Sequence, residues 1–504
     1  MYRLLRGKAG RLASAWSSRF QHFEIASLTP LGAYGPIMNR ALATSTGILL
    51  ILTTALMVLY EWGAAHLVGG VLPLVTGVVI LLLTIQVPNG RKIFVAVGLV
   101  LTLALAMHLP DWQMVVKNGL MKAAFICAFF CALVTLRSAA QGSPSIQKAG
   151  YFLAEQPPGR RYLALSFGGQ LFALVLNYGA IALLGGLAVA SAKTEPNPEI
   201  KEHRTRRMLL AIQRGFTSTL PWSPLSFAVA ISTALIPGAS WGKVFVPSLV
   251  TSALMVGTGW ALDTIFKPKI AGPRPVRARP EGSWLLMAPL AILLAVIIAS
   301  IGVLFLLTGI RVVGLVLVIV PCVSVVWVML QTRGAGPHGM GGGVSQRLSD
   351  FAFTELPSLR GEIILLMMAG YIGTVGSALL EPTFAGLGWD LAVLPTWLIL
   401  VGLVWLIPLA GQIGMNPIMA VTLIAPLIPS AQALGVSPSA IIVAITSGWA
   451  LGGVTSPFTA TTLLIGGFGN VSARHVGLNW NGVYFLWIAA ILSVWVVIFA
   501  QFSA

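Results

Sequence analysis

The chain has 504 residues, 57% of them hydrophobic and only 9% charged, with a mean hydropathy of +0.89. An ordinary globular domain is about a quarter charged, so water is excluded as the solvent for most of this chain. The formal charge of +17 does not point to nucleic acid, because the basic residues fall between the apolar runs, where they act as a topology signal.

Residues 1–40 carry Arg3, Arg6, Lys8, Arg11 and Arg19 in a weakly amphipathic pattern without the apolar core of a signal peptide. A basic segment lying on an anionic membrane surface is expected there. Apolar runs then recur, such as ALATSTGILLILTTALMVLY from Ala41, WLLMAPLAILLAVIIASIGVLFLLTG from Trp284 and VYFLWIAAILSVWVVIFA from Val483. Each is close to the ~20 residues that cross a ~30 Å hydrocarbon core as a helix, and the chain has room for roughly 11 to 14 embedded segments. Backbone polar groups cannot stay unpaired in lipid, and the runs lack a barrel's alternation. The expected fold is therefore an all-α polytopic membrane protein. A first transmembrane half covers 41–266, a basic Pro-rich linker 267–283, and a second half 284–504 with a Gly-rich loop over 332–361. Lys/Arg-rich loops are usually cytoplasmic, which places the N-terminus inside a multi-pass bacterial inner (plasma) membrane protein. Cys127, Cys131 and Cys322 lie in apolar stretches and read as packing residues.

The two halves repeat a motif. MLLAIQRGFTSTLPWSPLSF from Met208 aligns without a gap on IIVAITSGWALGGVTSPFTA from Ile441, with a constant offset of 233 (448 − 215 and 456 − 223). Gly215-Phe216 falls on Gly448-Trp449, Ser223-Pro224 on Ser456-Pro457, and Ser226 on Thr459. Upstream, LVLNYGAIALLGGLA with Asn177 and Gly179 matches QIGMNPIMAVTLIAPLI with Asn416 and Pro417, at an offset of 239 (416 − 177).

Proline removes a donor and clashes with the preceding turn, and glycine permits conformations that other residues avoid, so both motifs open a helix within the bilayer. Unwound backbone is tolerated at that depth where it is buried in protein or lines a cavity, and in transporters it meets the solute and its coupling ion. Candidate binding groups in the first half are Asn177, Tyr178, Gly179, Thr217, Ser218, Thr219, Ser223, Pro224 and Ser226. In the second half they are Asn416, Pro417, Thr455, Ser456, Pro457, Thr459, Thr461 and Thr462. The bland alternative for each is helix packing or kinking, in which Ser, Thr, Gly and Pro also serve. Among ionisable groups, Glu381 is a candidate proton carrier, Asp263 is expected at the interface, and Arg214, whose counterpart is Ser447, is a candidate for attracting an anion. No HExxH, Cys-His or paired acidic motif supports an enzyme or a metal centre, and the GxGxxG at Gly334, Gly336 and Gly339 follows no strand.

Taken together these motifs resemble the ion transporter superfamily. The resemblance covers most of Leu120 to Ala504. The stretch from Ser143 is similar to the family's hairpin exit and broken helix, the run GEIILLMMAGYIGTVGSALLEPTF from Gly361 looks like a second hairpin, and GWALGGVTSPFTATTLLIGG from Gly448 resembles a ligand motif. This sequence departs from the pattern around Asn177 and Asn416, which lack the neighbouring Ser and Thr. It departs again at Pro224-Leu225-Ser226 and Pro457-Phe458-Thr459, where many members have Pro-x-Asn. The resemblance implies two inverted repeats with re-entrant hairpins and discontinuous helices, a homodimer, no bound cofactor, and Na⁺ or H⁺ as coupling ion. The expected function is secondary active transport, by symport or antiport, of a small organic solute, expected to be anionic. A lipid or lipid-linked translocase and a non-transporting membrane enzyme or assembly subunit stay open as alternatives. Membrane lipids and a small-molecule solute are the expected partners.

Overall fold

The computed structural model describes residues 40–141, 143–193, 195–267, 282–334, 343–386 and 393–503. The expected interfacial segment over 1–39, the core of the basic linker, the middle of the Gly-rich loop and the Glu381 side chain lie outside the described residues. The chain divides into Met1–Ala43 and Thr44–Ala504, and the architecture that follows belongs to the second unit. Among the described residues nine helices are long and apolar enough to cross a membrane, and four shorter apolar helices accompany them.

In chain order the helices are α1 (Arg40–Val68), α2 (Val71–Gln86), α3 (Asn89–His108), α4 (Trp112–Gln141), α5 (Pro144–Ala154), α6 (Pro158–Leu176) and α7 (Gly179–Ala192). They continue as α8 (Pro198–Thr217), α9 (Phe227–Leu235), α10 (Trp241–Ile265), α11 (Ala288–Thr308), α12 (Val312–Gly334), α13 (Val344–Asp350) and α14 (Arg360–Gly386). The last five are α15 (Thr396–Gln412), α16 (Pro417–Ile424), α17 (Pro438–Thr455), α18 (Ala460–Gly469) and α19 (Gly482–Phe502). The run from Gly361 that resembled a hairpin is the continuous helix α14, in which apolar packing along its length outweighs the internal Pro382.

Burial separates the helices by role. α4 is mostly enclosed and packs against α14 and α12. Glycines permit the close α4–α14 contact: a Cβ on Gly119 would lie 2.9 Å from the Tyr371 ring, and one on Gly370 would strike Ile126. By contrast α3 keeps Ile93, Leu99, Val100 and Leu103 exposed, as befits a surface whose solvent is hydrocarbon.

At the two Asn motifs the chain reverses. A Cβ on Gly150 of α5 would lie 2.9 Å from Leu187 Cδ1 and 3.6 Å from Phe172 Cε1. Along an uninterrupted helix Phe172 and Leu187 would be ~22 Å apart at ~1.5 Å per residue, so α6 and α7 run side by side. The same holds for α15 and the segment after Asn416. Leu403 and Ile407 share one apolar gap with Val421, Ile424, Ala425 and Ile428, although ~31 Å of straight helix would separate Leu403 from Ile424. Each Asn motif is thus the tip of a helical hairpin rather than a kink in a through-going helix.

The Ser-Pro motifs are breaks of the other kind. Non-helical residues 218–226 separate α8 from α9, and 456–459 separate α17 from α18. In each half a hairpin arm lies against the helix before the break, α6 on α8 and α15 on α17. A Cβ on Gly215 would come within 2.3 Å of Ser166 O, and one on Gly448 within 2.4 Å of Leu403 O. These two glycines are the ones related by the 233-residue offset, and each admits the backbone of its own hairpin.

Candidate functional site

The first tip is built on Asn177, whose φ of +50° and ψ of −132° turn the chain. Its N–H still donates to Ala173 O at 2.9 Å, and its carbonyl accepts from Ala180 N at 2.9 Å. The side chain is half-buried. Tyr178 is 40% exposed and stacks on Phe216, with ring centroids 5.3 Å apart. Gly179 opens α7 in a crowded position: a Cβ there would lie 3.8 Å from Arg137 Nε and 3.9 Å from Gln141 Nε2. An exposed ring, amides and a guanidinium therefore gather at this tip.

The second tip is made differently. Asn416 caps α16, its Oδ1 accepting from Ile418 N at 2.8 Å, and Pro417 occupies the first helical position, where its missing N–H leaves nothing unpaired. Gly414, with φ +88°, completes the turn beside the ring of Phe458.

Between the tips lie the two breaks. Thr217 Oγ1 donates to Gln213 O and Arg214 O, Ser218 Oγ to Gly215 O, and Thr219 Oγ1 to Phe216 O. Ser223 Oγ accepts from Leu225 N at 3.1 Å, next to the buried Pro224. Ser226 caps α9, accepting from Val229 N at 3.2 Å while donating to Leu220 O at 2.8 Å. In the second half Thr455 Oγ1 donates to Leu451 O, and Ser456 Oγ crosses to the hairpin to donate to Gly411 O at 2.6 Å. After Pro457, Thr459 Oγ1 lies 3.0 Å from Thr461 Oγ1 and 3.1 Å from Thr462 Oγ1, while Thr461 donates to Gly453 O. Most of these hydroxyls spend their proton on a local carbonyl, as Ser and Thr do at helix ends. Their lone pairs are what remains for a donor or a small cation.

The two breaks meet. A Cβ on Gly453 would lie 3.1 Å from Thr217 Cγ2 and 3.9 Å from Thr217 Cβ. Packing across the halves is reciprocal: α8 meets α18 while α17 meets α9, and α7 meets α18 while α16 meets α9. The two Asn side chains are not joined to one another; among the described residues neither donates to nor accepts from the other. Each reaches the centre through the break of its own half, Tyr178 by Phe216 and Gly411 by Ser456.

No family model matches this sequence, and no curated protein matches it. Solved structures do. The Alcanivorax borkumensis YdaH transporter aligns over 82% of this chain and 99% of its own, with a TM-score of 0.55 and 16% identity. The Neisseria gonorrhoeae MtrF structure, described as illuminating a class of antimetabolite efflux pumps, aligns over 81% of this chain and 95% of its own, with a TM-score of 0.52 and 12% identity. The fold resembles that of AbgT-type transporters.

Against that fold, the ionisable residues singled out in the sequence find different roles. Asp263, near the end of α10, accepts from Arg207 Nε at 2.7 Å and Nη2 at 2.5 Å. Arg214 is buried and turned away from open space. Its Nε donates to Asn481 Oδ1 at 3.0 Å, its Nη1 reaches Tyr162 Oη at 3.4 Å, and its guanidinium sits 4.2 Å from the centre of the Tyr484 ring. Asn481 also donates to Gln213 Oε1 at 3.0 Å, and Gln213 donates to Val454 O at 3.3 Å. Gln213, Asn481, Tyr162 and Tyr484 escape a reading of the sequence, because partners some 50 to 270 positions apart leave no spacing signal. Gln170, which donates to Ser218 Oγ at 3.0 Å, is missed for the same reason.

Proposed function

We propose that this chain is a secondary active transporter of a small anionic organic solute in the bacterial inner membrane. Two inverted repeats would each contribute a re-entrant hairpin, tipped by Asn177 or Asn416, and a discontinuous helix, broken at Ser223-Pro224 or Ser456-Pro457. The observation that carries the reading is the reciprocal crossing of the two breaks, with Thr217 against Gly453. When element i of one half touches element j of the other, and j of the first touches i of the second, the halves are related by a two-fold axis, as in an isologous interface. Were equivalent elements of the two halves to run in opposite directions across the bilayer, such an axis would lie in the membrane plane, the arrangement in which carriers hold solute at the repeat interface; the reciprocal packing supports that reading.

The solute would rest between the first tip and the hydroxyls of both breaks. Arg137 supplies positive charge beside Gly179, and Tyr178 an open ring face. The lone pairs of Thr459, Thr461 and Thr462 suit Na⁺ as coupling ion; Glu381 is the candidate for a proton-coupled cycle. The basic connections support a cytoplasmic N-terminus, and a homodimer is expected from the family resemblance. The likeness to MtrF, which illuminates a class of antimetabolite efflux pumps, makes antimetabolites the first solutes to try, with export as the first direction.

The test is flux in proteoliposomes of purified protein, loaded with antimetabolites and organic acids under imposed Na⁺ or proton gradients. Gradient-driven movement of an anion, lost in the Thr217→Val/Thr461→Val variant, supports the reading. Gradient-independent scrambling of fluorescent lipids with no solute movement would select the translocase alternative. A chemically altered product would select the enzyme.

A further inference from the structure

At one end of the bundle two packed helices bring three arginines together: Arg161 at the start of α6, and Arg204 and Arg207 on α8. Arg207 is neutralised by Asp263. Arg161 and Arg204 have no carboxylate at ion-pair distance among the described residues; Glu155 and Glu195 act on Arg204 only from further away. Arg161 uses Nε on Gln156 O at 2.7 Å, and neither terminal nitrogen has an acceptor among the described residues. Arg204 uses Nη2 on Ser191 Oγ at 2.7 Å, while its Nε is buried and has no acceptor. Burial, with Arg204 and Arg207 nearby, pulls the Arg161 pKa down to about 10. Two half-buried guanidiniums with donors to spare, at the same end of a helix pair whose register is set by Ser166 Oγ on Ala211 O, make a surface that lacks an anion.

The surroundings say which anion. Ile265 and Phe266, two and three residues beyond Asp263, are 71% and 68% exposed. On the other side Gln156 donates to Phe152 O, and the Phe152 ring meets Trp284, beyond which Leu285 is 79% exposed. Basic residues bordered by open apolar and Trp side chains mark the level where phospholipid headgroups sit.

We infer that Arg161 and Arg204 form a phosphate-binding site whose occupant is the headgroup of an acidic phospholipid in the leaflet on the basic side. The phosphate oxygens accept from the free nitrogens of both arginines, and the acyl chains run along the exposed residues at the end of α10 and the start of α11. The site stands apart from the crossing of the breaks and does not depend on what the chain transports.

The test is thermal unfolding of the detergent-solubilised full chain with added dioleoylphosphatidylglycerol, dioleoylphosphatidylcholine or inorganic phosphate, repeated on Arg161→Gln/Arg204→Gln. Phosphatidylglycerol should raise the midpoint well above the phosphatidylcholine value, and the double variant should need at least ten-fold more of it for the same rise. Arg161→Lys/Arg204→Lys, which keeps the charge, should recover part of the effect and shows that loss in the first variant is not misfolding. A shift produced by inorganic phosphate alone, and lost in the glutamine variant, supports the phosphate site while assigning it a soluble occupant. No shift with either phosphate source, or equal shifts in wild type and both variants, overturns the proposal.

Discussion

Replacing Gly215 by Ala tests whether the hairpin arms are held against the broken helices by backbone-to-backbone packing. The added Cβ would stand 2.3, 2.7 and 2.9 Å from the carbonyl oxygen, Cα and carbonyl carbon of Ser166. Favourable contact needs about 3.5 Å or more, so α6 and α8 must part by ~1 Å. All three obstructing atoms are main chain and no side chain can swing aside, which places the cost near the top of the ~1–3 kcal/mol range for overpacking. Better helix propensity returns ~1 kcal/mol. The expected net loss is ~2 kcal/mol, read as an SDS-driven unfolding equilibrium in mixed micelles. Gly448→Ala meets Leu403 O at 2.4 Å and Val404 O at 3.2 Å and should lose a similar amount. Gly257→Ala, an exposed position on α10 with no atom within 4 Å, should be neutral or slightly stabilising. If the three variants unfold alike, close approach is not what Gly215 and Gly448 provide. If only one of the pair is destabilised, their equivalence fails.

Asn177→Gly should stabilise the fold by ~1 kcal/mol, since a non-glycine residue held at such a positive φ costs ~1–3 kcal/mol. The same variant should lose most of the thermal shift given by whichever solute the flux panel identifies; an undiminished shift would leave Asn177 a turn residue and nothing more. Thr217→Cys/Gly453→Cys, made after removal of Cys127, Cys131 and Cys322, should form a disulfide on mild oxidation, because 3.9 Å between the Cβ positions lies within the ~3.5–4.5 Å range of native bridges. Peptide mapping detects the bond. Flux that stops on oxidation and returns on reduction would show that the breaks part during the cycle, whereas continued flux through the bridged protein would show that they travel together.

The parts of this architecture legible in the sequence are those encoded by local chemistry. Apolar run length marks the spans, and the Ser-Pro motifs announce their breaks because proline cannot continue a helix hydrogen-bond ladder. The constant offset paired Gly215 with Gly448 before any contact was known. What the Asn motifs do was only half legible. Asn177-Tyr178-Gly179 and Met415-Asn416-Pro417 signal interruption, but whether the chain then continues or doubles back depends on neighbours such as Gly150 and Val421. Asn177 reverses the chain through its own backbone dihedrals, Gly414 and Pro417 by turn and cap; these are two local solutions to one tertiary demand. The run from Gly361, similar to a hairpin in sequence, is a continuous helix for the converse reason. Its glycines serve close packing, Gly370 against Ile126 of α4 and Gly373 against Thr422 of α16, and do not open the helix.

This division between local and tertiary information bears on how the site holds together. The hydroxyls of both breaks are anchored within their own half, Ser456 on Gly411 of the hairpin and the others on their own helix ends, so each break could form within its half. What fixes one break against the other is the buried Gln213–Asn481–Arg214 network, since Gln213 reaches Val454 at the end of α17 and Arg214 reaches the root of α19. A guanidinium enclosed by Asn481, Tyr162 and Tyr484 without a carboxylate is costly to desolvate. The C-terminal turn of α8, in which it sits, offsets part of that cost through the helix dipole. Neutral partners can exchange places with one another at less expense than a carboxylate can leave a guanidinium, so the network holds the halves in register without welding them. A carboxylate introduced at position 481 would bind Arg214 more tightly and take the donor from Gln213, trading mobility between the breaks for stability.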